Sequence, residues 1–277
     1  MVVAGVVTVE ESAIQTRRVV VLHSGGKDST YSAWWAQMKG WEIVASCTVL
    51  VDSDDSLMFQ TDSSWISGLQ STGMGVPWIP VVTSGEPENE VNELLQGLVE
   101  GVRRGQVEEW FMKRGLNPPE YISKIDTSWD GLVVGALRSD YQKTRLERMC
   151  SNLGVSVHLP LWHHNGQRHM KDLISHGFEV MIVSVSSDGL DSSWLGKILD
   201  YSSLEELISL SNKHRFHPDG EGGEFETLVV GAPNMNGRIQ LEGECRWYGR
   251  RGIWHINNGS ISNQQVAIGS RHGPQPG

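Results

Sequence analysis

A chain of 277 residues that is 39% hydrophobic and 20% charged can bury a substantial core as one large domain or two ordinary ones, and its apolar stretches stop short of the roughly 20 residues a membrane helix requires. Its formal charge of −10 argues against broad contact with a nucleic-acid backbone, which Lys and Arg carry, although a local basic patch stays open. Three cysteines, Cys47, Cys150 and Cys245, lie far apart without a C-x-x-C pair, which indicates neither a zinc knuckle nor a disulfide framework and points to a reducing, cytoplasmic setting.

The opening MVVAGVVTV has no Lys or Arg ahead of it and runs into Glu10-Glu11, so residues 1–16 read as an extension rather than a secretory signal. From Arg17, short apolar runs alternate with amphipathic ones: VVVL (19–22), a helix to about Lys39, EIVASCTVLV (42–51), a polar helical segment around Asp62–Ser71, and VPWIPVV (76–82). A Glu-rich helical stretch through 88–104 and 107–114 precedes GLVVGAL (131–137), the helix SDYQKTRLERMCSNLG (139–154) and VSVHLPLW (155–162). Strands alternating with helices predict parallel βαβ units, an α/β fold with an open parallel sheet over residues 17–160. Past Trp162 the style changes. A helix at Arg168–Ser175, a strand FEVMIVSVS (178–186) and a helix in SSLEELISLSNKH (202–214) lead to ETLVVGA, RIQLEGECRWY and RRGIWHINN, which read as an antiparallel meander. The expectation is a smaller α+β domain over 161–262, followed by a polar, disordered tail at 263–277.

The densest chemistry lies in LHSGGKDSTYSAWW (22–35). A strand that ends in Ser24-Gly25-Gly26 and feeds a helix places backbone N–H groups and a helix N-terminus around one point, which attracts phosphate. The glycines permit close approach, Asp28 or Ser29 can cap the helix, and Lys27 with the hydroxyls of Ser24 and Ser29 reaches oxyanions. The pattern G-x-x-x-x-G-K-[ST] would need Gly at 21 and Ser or Thr at 28, where this chain has Val21 and Asp28. On turn chemistry alone, a generic strand-to-helix turn accounts for the segment equally well.

SGGKDS directly after the first strand resembles the pyrophosphate-binding loop (PP-loop) of the N-type ATP pyrophosphatases. Together with GALRSDYQKTRLERMCSNLG (135–154), PLW (160–162), GFEVMIVSV (177–185) and above all GEGGEFETLVVGAP (220–233), it makes residues 17–255 similar to the diphthine–ammonia ligase family. The resemblance implies an adenine-nucleotide-alpha-hydrolase-like domain that uses ATP and Mg²⁺. It implies that ATP adenylylates the carboxylate of diphthine, the modified histidine of translation elongation factor two, and that free ammonium supplies the ammonia that displaces AMP. Neither a membrane nor a nucleic-acid partner is implied. By the same resemblance, Ser24, Gly25, Gly26, Lys27, Asp28, Ser29, Gly135, Ala136 and Leu137 border the nucleotide, with Asp28 toward the metal. Tyr141, Gln142, Arg145, Glu221, Glu224 and Glu226 belong to the substrate, and Lys27, Glu224 and Glu226 to catalysis.

Each assignment has a plainer alternative. Tyr141 and Arg145 share a helix face, as do Gln142 and Arg145, but a solvated helix with Arg145 paired to Glu147 has the same spacing. Strand alternation puts Glu224 and Glu226 on one face and Phe225 on the other, with Glu221 in the preceding loop; an isolated acidic edge strand reads alike. His158, His163, His164, His169 and His176 match no zinc spacing. Trp129, Trp162 and Trp194 lie near the motifs and suit a cationic pocket. Another amidating or transfer-RNA-modifying member of the superfamily, and a non-catalytic adenine-nucleotide sensor, are the competing functions.

Overall fold

The computed structural model describes residues 16–52, 62–135 and 140–262. Five parallel strands, β1 (Arg18–Leu22), β2 (Glu42–Val51), β3 (Trp78–Thr83), β4 (Gly131–Val134) and β5 (Ser156–His158), form one sheet in the order β3-β2-β1-β4-β5. Its helices are α1 (Lys27–Met38), α2 (Ile66–Met74), α3 (Pro87–Val99), α4 (Arg104–Lys113) and α5 (Asp140–Leu153). Alternation along β1 sends Val20 to one face and Val19 and Val21 to the other. Val20 packs with Cys47, Leu98 and Met149; Val19 and Val21 belong to a cluster with Ala33, Ala36 and Phe111. The Glu-rich stretch forms two helices, interrupted at Gly101, whose φ of +97° suits glycine and where a Cβ would lie 2.6 Å from the Ser123 carbonyl.

The second sheet is antiparallel, ordered β7-β6-β9-β8 from β6 (Glu179–Val185), β7 (Phe225–Gly231), β8 (Arg238–Tyr248) and β9 (Arg251–Ser262). Helices α6 (Gly166–Ser175) and α7 (Tyr201–His214) accompany it. The expected meander therefore has a more involved order, because β6 sits between β7 and β9. One face of this sheet closes a core of its own around Ile182, Leu207 and Phe225. Val183, Leu228, Val230 and Ile256 instead join the cluster of Val19 and Val21. The two sheets share that apolar layer, which fixes β7 against the first domain. The expected extension and tail, apart from Thr16, lie outside the described residues, as do Ala136 and Leu137.

Candidate active site

Strand order reverses at β1, which lies between β2 and β4. In open α/β sheets, such a reversal opens a crevice beyond the strand carboxyl ends. The SGGKDS turn occupies that place. Gly25 has φ +85°, and Gly26 is the N-cap of α1 without any side-chain cap. The capping expected of Asp28 or Ser29 is therefore absent, since both lie inside the first turn. Ser29 Oγ instead donates to the Gly26 carbonyl at 3.1 Å and accepts the Ser24 N–H at 3.2 Å, which closes the turn. Gly135 must be small for the same turn, because a Cβ there would stand 2.7 Å from the Ser29 nitrogen.

Lys27 is only 6% exposed. Its ammonium donates to Asp28 Oδ2 at 2.8 Å, while Asp28 Oδ1 meets His169 Nε2 at 2.9 Å. Burial alone would raise the Asp28 carboxyl; the Lys27 charge together with the hydrogen bond and charge of His169 outweighs burial and holds it below the usual carboxylate range. Beneath the loop, His23 contacts Ser46 Oγ and Thr30 Oγ1, both at 3.1 Å, and burial depresses its pKa to about 4.

These groups face a cavity of about 700 Å³. Ser24, Lys27, Asp28 and Ser29 form its polar end, with Arg145, Gly220 and Glu221 also in the wall, while Cys47, Val49, Val91 and Leu94 make an apolar side. Cys47 is no nucleophile, because burial pushes its thiol up to about 12. Asp28 has one oxygen on Lys27 and the other on His169, and no group of three or more His, Cys, Asp or Glu side chains gathers to hold a metal among the described residues. A carboxylate oxygen has more than one acceptor site, so Asp28 still fits as the single carboxylate that accompanies a metal carried on substrate phosphates.

The structure separates the acidic motif. Glu221 lines the cavity; Glu224 Oε1 accepts the His217 N–H at 2.9 Å; Glu226 Oε1 accepts from Arg251 Nη2 at 3.0 Å. Tyr141 and Gln142 belong to the first turn of α5, and Arg145, one turn on, reaches the cavity. Glu147 pairs with Lys143 at 3.7 Å. The suggested tryptophan pocket does not assemble: Trp194 is buried in the second core with Lys197 Nζ 4.3 Å from its ring centroid, Lys143 Nζ lies 4.6 Å from that of Trp162, and Trp129 packs on the first domain's core.

Sequence reasoning missed four contacts. Thr227 Oγ1 accepts the Lys27 N–H at 3.2 Å, and Gln70 Nε2 and the Val229 N–H both donate to the Gly25 carbonyl, at 2.9 and 3.0 Å. The fourth joins His169 Nε2 to Asp28 Oδ1. Thr227 had a signal, since strand alternation puts it on the face of the buried Phe225, opposite Glu226 and Leu228; Gln70 and His169 had none in spacing.

A glycine-bearing loop at the switch point of a parallel sheet opens on a cavity with one charged and one apolar end. The diphthamide synthase N-terminal domain family matches residues 17–118, and the diphthamide synthase C-terminal domain family matches 165–261. Human diphthine–ammonia ligase is 32% identical over 235 residues, covering 81% of this chain and 83% of that one; the Bos taurus protein of the same name is 31% identical over 245 residues with the same coverage. The Schizosaccharomyces pombe diphthine–ammonia ligase is 29% identical over 230 residues, of which this chain spans only 36%. The chain belongs to the diphthamide synthase family, and it is a ligase. A solved structure described as a predicted tRNA methyltransferase subunit from Methanocaldococcus jannaschii overlays with a TM-score of 0.34 at 16% identity, covering 78% of this chain and 98% of that one. Among the described residues, no helix is long and apolar enough to cross a membrane.

Proposed function

We propose that this ligase binds ATP in the 700 Å³ cavity and uses it to amidate the carboxylate of diphthine on translation elongation factor two in the cytoplasm. The carrying observation is the polarity of that cavity. Its apolar side, with Val49, Val91 and Leu94, suits a purine, and its other end presents Lys27 beside the N-terminus of α1, where an oxyanion is favoured.

A carboxylate is a poor electrophile because its charge repels nucleophiles and oxide is a poor leaving group. A substrate carboxylate oxygen attacks the α-phosphorus, the bond to the bridging oxygen breaks, and pyrophosphate leaves with that electron pair. Lys27 and the amides of the turn stabilise the charge that grows on it. Ammonia then attacks the acyl carbon, AMP departs, and one proton passes to a base. Asp28 would accompany Mg²⁺, which would neutralise phosphate charge if bound with ATP. Glu221, which shares the cavity with Lys27, is our candidate base ahead of the expected Glu224 and Glu226. Arg145 and, by its place on the same helix, Tyr141 remain proposed for substrate or nucleotide contact. Three cysteines far apart without a C-x-x-C pair speak against a thiolating relative.

The test is incubation with diphthine-bearing elongation factor, ATP, Mg²⁺ and ammonium, with mass analysis of the histidine peptide. Amide, AMP and pyrophosphate should appear in equal amounts. ADP and orthophosphate would refute the reading, and tight ATP binding without turnover would indicate a sensor.

A further inference from the structure

We propose that His169, on the second domain, is a positioning residue for the phosphate loop: its Nε2–H holds Asp28 Oδ1 so that Oδ2 remains on Lys27 and the pair presents one fixed geometry to a triphosphate. This rests on the ATP reading of the cavity. His169 is wholly buried, 141 residues away from Asp28 in sequence. The ring is held edge-on against Tyr31 of α1, with centroids 5.0 Å apart. Its helix starts at an N-cap, Asn165, whose side chain accepts the Arg168 N–H, and a Cβ at Gly166 would collide with the buried Asp219 carboxylate, so α6 has little room to shift.

The other ring nitrogen, Nδ1, is buried without a hydrogen-bond partner among the described residues. Leaving such an atom unsatisfied is destabilising. Packing alone would therefore favour an apolar ring at this position, and the hydrogen bond to Asp28 is what the imidazole adds. Two partners on opposite carboxylate oxygens stop Asp28 from turning. Without His169, the carboxylate is free to rotate, and Lys27 loses the fixed counter-charge that places its ammonium. A contact made by the second domain thereby sets the nucleotide end of the first.

The experiment measures binding of α,β-methylene ATP by calorimetry, and amidation kcat and KM, for the wild type, His169→Phe, His169→Gln, Asp28→Asn and the His169→Phe/Asp28→Asn pair. Phe keeps the ring volume and the edge contact with Tyr31 but removes the donor; Gln restores a donor near Nε2. His169→Phe should weaken analogue binding roughly tenfold, the scale of one hydrogen bond to a charged group, and lower kcat while leaving KM for the protein substrate unchanged. His169→Gln should stay within about threefold of wild type, because the donor is kept. In the Asp28→Asn background, His169→Phe should add nothing, since it acts through Asp28. Should His169→Phe fail to melt cooperatively, the smaller His169→Leu replaces it in the same cycle. Wild-type binding in the apolar variant, equal losses for Phe and Gln, or an undiminished effect in Asp28→Asn would each overturn the assignment. A folded wild type that does not bind the analogue would instead bring down the ATP reading, and this inference with it.

Discussion

The Lys27 backbone N–H donates to Thr227 Oγ1 at 3.2 Å, across 200 residues of sequence. The nitrogen belongs to the phosphate turn and the oxygen to β7, so the acidic motif's strand is built directly onto the loop. Thr227→Val keeps the β-branched shape and removes the acceptor. It should lower stability by about 1 kcal/mol, the ordinary worth of one hydrogen bond, whereas Thr227→Ser should retain most of it. Urea unfolding of both variants measures this, and equal losses would show that the methyl group rather than the hydroxyl matters.

Lys27→Ala should slow adenylylation roughly a hundredfold or more, the scale seen when one donor to developing charge is removed. The ammonium is almost fully buried and is paired to Asp28, so the substitution also leaves a carboxylate without its nearest counter-charge. Pyrophosphate release in a single turnover reads the chemical step. Wild-type release from a cooperatively melting Lys27→Ala protein would remove this lysine from the mechanism.

The parallel sheet was legible because its strands are apolar runs bounded by Gly, Pro and polar turns, a local pattern that burial on both faces imposes. The loop was legible for a related reason: Gly25 at positive φ and Gly26 against the Thr227 carbonyl are positions a side chain would crowd. What stayed hidden depends on partners distant in sequence. Nothing near His169 signals that α6 delivers it to Asp28, and nothing near Glu226 signals Arg251, which sits 25 residues later on another strand. Alternation gave Glu224 and Glu226 a common face, yet a face is not a common destination: one carboxylate turns to the His217 amide and the other to a guanidinium.

His23 should make stability depend on pH below neutrality. Burial lowers its pKa from 6.5 to about 4, so between those values the unfolded chain binds a proton that the folded protein refuses. The unfolded state is then favoured increasingly as pH falls from 6.5 toward 4, and the effect levels off below. At 1.36 kcal/mol per pH unit the full loss is roughly 3 kcal/mol. Because other groups titrate as well, the quantity to measure is the wild-type stability minus that of His23→Gln in urea at several pH values. A difference that stays flat across the range would mean that His23 is protonated as easily folded as unfolded.

Glu221 and Glu226 should separate when each is changed to Gln, which keeps size and removes charge. Glu221 shares the cavity with Lys27 and Asp28, whereas Glu226 is held by Arg251. A carboxylate in the cavity repels a triphosphate, so Glu221→Gln should bind α,β-methylene ATP as well as wild type or more tightly. The same substitution should slow amide formation by roughly a hundredfold, the usual contribution of a positioned base, because ammonium must lose a proton before it attacks. Raising the pH or the ammonium concentration increases free ammonia and should recover part of the rate. Glu226→Gln should leave analogue affinity within about twofold, since its partner Arg251 contacts the second sheet through Ser184 at 3.1 Å rather than the nucleotide end. Calorimetry gives the affinities, and mass analysis of the histidine peptide gives the amide. Full amidation by Glu221→Gln would eliminate it as the base, and loss of analogue binding in a folded Glu226→Gln protein would place that carboxylate with the nucleotide instead.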